Sequence, residues 1–200
     1  LISTLVVIVV PKLVGVTEYG YWQLYMFYSS YVGFMHFGWN DGIYLRYGGY
    51  KYEDLEKSSL FSQFYLLLSL QILVALIISI VAGYVSIDED RLFISRMIAV
   101  SLVLVNLRAM LLFILQATNR LKESAKVTIL GQVLYFGVVI VFLTLGGREF
   151  EIMIVSDLLG KAVSLFYAMY CTRDIVFRKI SEFFFTAHEV IENIRVGSKL

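Results

Sequence analysis

Apolar segments of membrane length recur along this 200-residue chain with only short polar connections between them, and that regularity limits what the chain can fold into. A bilayer core about 30 Å thick is crossed by roughly 20 helical residues. Segments of that kind run over residues 19–46, 59–85, 92–116, 125–146 and 150–172, and residues 1–10 supply the end of another. Each is expected to be a helix, because a span in lipid must satisfy its own backbone polar groups and these are too long and too uniformly apolar for barrel strands. Composition agrees: 59% of the residues are hydrophobic, 16% are charged and the mean hydropathy is +0.77, which excludes a soluble domain of this length.

The expected fold is therefore all-α and integral to the membrane, with a six-span lobe over residues 1–172, its first span truncated, and a connector over residues 173–200. A signal-peptide core is the alternative for residues 1–10, but no small-residue cleavage site follows and more spans do. The chain starts at Leu1 without a basic region and stops at Leu200 without tail character, so it is expected to be part of a longer protein. In the connector, Val176, Ile180, Phe183, Phe184, Ala187, Ile191 and Ile194 recur at helical spacing, with Lys179, Glu182, Glu189, Glu192 and Arg195 on the other face. This reads either as an amphipathic helix in the cytoplasmic interface or as a soluble connector helix.

Orientation follows from the basic residues. Eleven of the seventeen lysines and arginines fall in the connections after spans two, four and six, and four fall in those after spans one, three and five. The positive-inside rule then puts the amino terminus and the even connections in the cytoplasm, as for a multi-pass protein of the inner (plasma) membrane. The net charge of +1 and the absence of any phosphate-loop, dinucleotide or zinc-finger pattern make nucleic acid an unexpected partner, and no cofactor is expected. Cys171 is the only cysteine, which rules out an intrachain disulfide and any multi-cysteine metal site, and His188 has no companion that completes a metal spacing.

The two remaining cations lie within spans. Arg108 has no charged neighbour from Met97 to Leu107 or from Ala109 to Asn119. A charge at mid-span costs about 2.5–3.5 kcal/mol on insertion scales, so such a residue is a functional-site candidate. Lys161 lies four residues after Asp157, on the same helix face, where the pair lowers the cost of burying both. Counted at 1.5 Å per residue, Arg108 and Lys161 come to similar depth near mid-membrane. On the second span Tyr25, Ser29, His36 and Asn40, with Gly33 among them, fall in a narrow arc. This stripe is either a cavity wall, where tyrosines can hydrogen-bond or stack on a ligand, or a packing face glued by small and polar residues. On the third span Ser62 and Ser69, and on the fifth Thr128, Gln132 and Tyr135, are better read as packing.

The stretches Pro11-Lys12-Leu13-Val14-Gly15-Val16-Thr17-Glu18-Tyr19-Gly20-Tyr21-Trp22 and Phe37-Gly38-Trp39-Asn40-Asp41-Gly42-Ile43-Tyr44-Leu45-Arg46-Tyr47 resemble the first two spans of the polysaccharide biosynthesis flippases. The hairpin from Leu115-Gln116-Ala117 to Ala125 is similar to that family's fourth-to-fifth span connection, and residues 193–200 resemble the approach to its seventh span. The resemblance covers nearly all of the chain through short motifs in the right order. It implies the amino-terminal six-helix lobe of a two-lobe protein of twelve to fourteen spans, in the multidrug, oligosaccharidyl-lipid and polysaccharide exporter superfamily.

Two classes of function follow. In the first, a cationic cavity formed by Arg108 and Lys161, with Asp157, Asn40, His36 and Tyr25 around it, accepts the diphosphate of a polyprenyl-anchored, lipid-linked oligosaccharide during export. An arginine fork suits that role, since it holds phosphate through two hydrogen bonds. In the second, the chain is a membrane-embedded glycan polymerase or ligase, which needs acid, base or nucleophile groups gathered at one face. The outward turns hold little beyond Asp88-Glu89-Asp90 and Glu149-Phe150-Glu151. Transport without catalysis is the expectation, with a drug or cation exporter of the same superfamily as the alternative.

Overall fold

The structure is a computed structural model that describes residues 14–185 and 187–199. Among them the chain is helical with no strand: α1 Val16–Tyr31, α2 Trp39–Arg46, α3 Lys57–Val85, α4 Glu89–Ala117, α5 Leu121–Thr144, α6 Phe150–Cys171, α7 Arg173–Val176 and α8 Ala187–Gly197. Short 3-10 turns occupy Val32–His36, Tyr52–Asp54 and Ile180–Glu182. Four of these helices, α3 to α6, are long and apolar enough to cross a membrane. They correspond to the third to sixth expected spans, and the first expected span lies outside the described residues.

The ends of the long helices have identifiable causes. The Asp88 carboxylate accepts the Arg91 amide at 2.7 Å and so caps the start of α4. Glu18, at the start of α1, accepts the Phe150 amide at 2.9 Å and does the same for α6 from another helix. The chain leaves α4 through Asn119, whose φ of 60° is in the left-handed region that asparagine tolerates, and turns directly into α5.

α4 is the central helix. In its apolar window 56% of the residues are buried, against 17% for α3 and for α5, so the flanking helices turn most of their surface outward. Two apolar cores are strung along it. One gathers Trp22, Ile94, Ile98, Leu102, Phe150 and Ile154, and the other gathers Ile43, Phe64, Leu67, Leu107, Leu111 and Leu165. Between them a polar layer passes through α1, α3, α4 and α6: Tyr25 and Ser29 on α1, Gln71 on α3, Ser101, Asn106 and Arg108 on α4, and Asp157, Lys161 and Ser164 on α6. α5 and α6 approach closely at Gly131 and Gly160, where a side chain on either would run into the other helix's backbone.

The second expected span is corrected by the structure: it is not one continuous helix. α1 ends at Tyr31, a 3-10 turn follows, and Phe37 (φ 52°) and Gly38 (φ 80°) turn the chain through the left-handed region before α2 begins. The single polar stripe read from helical spacing is therefore split, because Tyr25 and Ser29 lie before the break and Asn40 after it.

α8 packs on α2 at backbone distance. A side chain at Gly42 would meet the Asn193 backbone, and one at Gly197 would meet the Gly38 carbonyl. Arg46 closes the contact, donating to Asn193 Oδ1 at 2.6 Å and to Glu189 Oε2 at 2.7 Å. Asn193, fully buried, donates in turn to Gln63 Oε1 at 2.6 Å. Nearby, the Tyr52 hydroxyl and Lys57 both hold Asp174 at 2.6 Å. Burial alone would raise the Asp174 pKa, but those two partners outweigh it and hold the carboxyl below its ordinary value.

Candidate functional site

The polar layer contains two distinct arrangements. The first surrounds a cavity of about 180 Å³ between α4, α5 and α6, lined by Arg108, Thr128, Gly131, Gln132, Tyr135, Asp157, Gly160, Lys161 and Ser164. Arg108 and Lys161, which residue counting put at similar depth, share this wall. Asp157 and Lys161 pair at 2.6 Å, as four-residue spacing on one helix allows. The Tyr25 hydroxyl donates to the same carboxylate oxygen at 2.6 Å. Lys161 also donates to Ser29 Oγ and Ser101 Oγ, each at 2.9 Å, and approaches the Tyr25 hydroxyl at 3.3 Å. An ammonium group has three protons. All of them are engaged within the protein, by oxygens from α1, α4 and α6.

Arg108 differs. No carboxylate among the described residues lies within ion-pair distance of it. Its one hydrogen bond is a long one, 3.4 Å from Nη1 to Ser164 Oγ, and that hydroxyl already donates to the Val127 carbonyl at 2.8 Å. The Arg108 Nε is buried and has no partner. Counting Arg108, Lys161 and Asp157, the cavity wall carries one net positive charge, on the residue with unused donors. Such a surface attracts an anion with several acceptor oxygens.

The second arrangement is neutral and sits at the break between α1 and α2. Asn106 Nδ2 donates to the Val32 carbonyl at 3.0 Å and to Gln71 Oε1 at 2.8 Å. Gln71 Nε2 donates to the Met35 carbonyl at 3.0 Å, and Asn40 Nδ2 donates to the Asn106 carbonyl at 2.9 Å. The three amides are fully buried. Asn106 and Gln71 thus supply donors to carbonyls at the interruption, and Asn40 returns one to an α4 carbonyl, which satisfies these groups in an apolar surrounding. His36 Nδ1 accepts the Gly38 amide at 3.2 Å, so this nitrogen is the unprotonated one, and its 3.7 Å approach to Asp41 is not an ion pair.

Of the residues singled out from sequence, Arg108, Lys161, Asp157 and Tyr25 thus meet around one cavity. Asn40 and His36 do not join them; both support the break. Thr128, Gln132 and Tyr135, read from sequence as packing, line the cavity. Sequence reasoning passed over Ser101, Asn106 and Gln71, although each is a polar residue in the middle of an apolar span. A larger cleft of about 720 Å³ between α1, α3 and α4 is lined mainly by apolar side chains; its polar groups are Tyr28, Tyr31, Ser86, Ser95 and Arg91, and its one charged group, Arg91, is paired with Asp88.

Comparison with models of protein families, with curated proteins and with solved structures finds no match for this chain.

Proposed function

We propose that this chain is the amino-terminal lobe of an exporter of the polysaccharide flippase type, moving a polyprenyl diphosphate-linked oligosaccharide across the plasma membrane by alternating access. In this reading six spans form the lobe, its amino terminus is cytoplasmic, and a second lobe completes the path. The observation that carries the proposal is the unpartnered Nε of Arg108, buried beside a cavity whose other cation is already neutralised. A drug or cation exporter would need a spare carboxylate there, and Asp157 is committed to Lys161 and Tyr25.

The cavity is small, which suits a phosphate group and not a run of sugars. The glycan would pass outside it, while the lipid tail stays in the bilayer. The proposal is tested by complementing a strain deficient in oligosaccharide flipping with the complete protein. Restoration of surface glycan by the wild type is expected, with partial restoration by Arg108→Lys, which keeps the charge and loses the fork. Full glycan export by Arg108→Lys and by a neutral replacement alike would remove the reason for an anionic cargo.

A further inference from the structure

The anion reading of the cavity leaves Lys161 without a role, since its three donors are engaged. Yet its four oxygen partners come from three helices: Tyr25 and Ser29 from α1, Ser101 from α4 and Asp157 from its own α6. No other cation in the polar layer ties three helices together. It also lines the same small cavity as Arg108, so an anion held there by Arg108 would share that cavity with Lys161.

We infer that Lys161 is an exchangeable latch: a phosphate-class anion bound at Arg108 draws the Lys161 ammonium away from Ser29, Ser101 and the Tyr25 hydroxyl, and so loosens α1 from α4 and α6. Only the direct Ser29–Ser101 (3.2 Å) and Tyr25–Asp157 (2.6 Å) hydrogen bonds are then left between them at this level. This positioning role rests on the anion reading of the Arg108 cavity and deepens it, because it gives ligand binding a route to helix movement. The driving force is differential. The latched state provides one carboxylate and neutral hydroxyls, and the bound state provides an anion with several strong acceptors. The hydroxyl contacts given up set the cost of the exchange, so weakening them must tighten anion binding.

Two features make the exchange observable. Ser29→Ala with Ser101→Ala removes two latch oxygens and leaves every charge in place. Trp22 is buried and stacks on both Tyr25 (ring centroids 5.8 Å) and Tyr135 (6.1 Å), one a latch residue and the other a cavity wall. Its fluorescence therefore reports the junction, isolated as the difference between the protein and its Trp22→Phe variant.

The experiment titrates the purified protein in lipid nanodiscs with inorganic pyrophosphate, and in parallel with a polyprenyl diphosphate placed in the bilayer. Binding that depends on Arg108, about tenfold tighter in the double serine variant, with a saturable Trp22 change in the wild type, is the expected result. Should the double variant not fold, the Trp22 response of the wild type decides. Arg108-dependent binding with unchanged affinity in the double variant and a silent Trp22 overturns the latch alone. Absence of binding, or binding undiminished in Arg108→Gln, overturns the site on which it rests. A response to pyrophosphate but not to the lipid keeps the latch and assigns the cavity to a free anion.

Discussion

The two polar patches of the bundle sit at the same height on opposite sides of α4, one at Asn106 and the other at Arg108, and they solve the burial problem in different ways. At the α1–α2 break the polar groups are neutral amides that donate to backbone carbonyls or to one another, and the atoms left without a partner there are the uncharged side-chain oxygens of Asn40 and Asn106. At the cavity the groups are charged, and one cation keeps donors in reserve. Neutral amides make dependable structural props because their partners are fixed by the fold. A charge with unused donors is costly to bury, and an anion beside it would relieve that cost.

Several substitutions break or sharpen this contrast. The largest expected effect falls on the scaffold side. Gly42→Val drives a side chain into the Asn193 backbone, so α2 and α8 must separate. A loss of about 3 kcal/mol, at the upper end for overpacking, is expected, seen as a sharp fall in folded protein on detergent size-exclusion chromatography. Normal yield and melting temperature would show that α8 does not hold α2 in place.

The ion pair comes next. Asp157→Asn leaves Lys161 charged among hydroxyls, whereas Asp157→Asn with Lys161→Gln leaves no charge stranded. The single variant is expected to be less stable than the double by about 2 kcal/mol, because the hydroxyl partners soften the penalty for an unpaired buried charge. Equal melting curves for the two would mean that Asp157 and Lys161 do not stabilise each other.

A smaller effect is expected at Asn106→Leu, which takes donors from the Val32 carbonyl and Gln71 Oε1. The cost is about 1 kcal/mol, since interhelical hydrogen bonds within membranes average less than their burial suggests. Amide hydrogen exchange over residues 32–38 should quicken in this variant. No change in exchange rate would argue that the break holds without its amide props.

How far the sequence reaches depends on the kind of order involved. Long apolar periodicity announces α3 to α6, because crossing lipid demands it of each segment independently. The break in the preceding segment leaves no such mark. Its residues are less apolar than those of α3 to α6, with Ser29, Ser30, His36, Asn40 and Asp41 among them, but that composition does not locate a break. What interrupts the helix is the pair Phe37 and Gly38 in left-handed geometry, stabilised by Gln71 and Asn106 from helices far away in the chain. The cavity was legible in part. An isolated Arg108 and an i, i+4 pair at matching depth point toward one another before any coordinates. That Lys161 is saturated while Arg108 is not depends on Ser29, Ser101 and Tyr25 converging in space, and spacing along one helix cannot express that.

The central claim is that Arg108 is held for a ligand and not for the fold. The most direct test measures membrane abundance and melting temperature of Arg108→Gln alongside its export of lipid-linked glycan, in the complete protein. Abundance and melting temperature equal to or above the wild type are expected, because a half-buried charge with no ion-pair partner among the described residues has been removed, together with collapse of export. Loss of folded protein would make Arg108 a structural residue, and full export at normal abundance would take it out of the site.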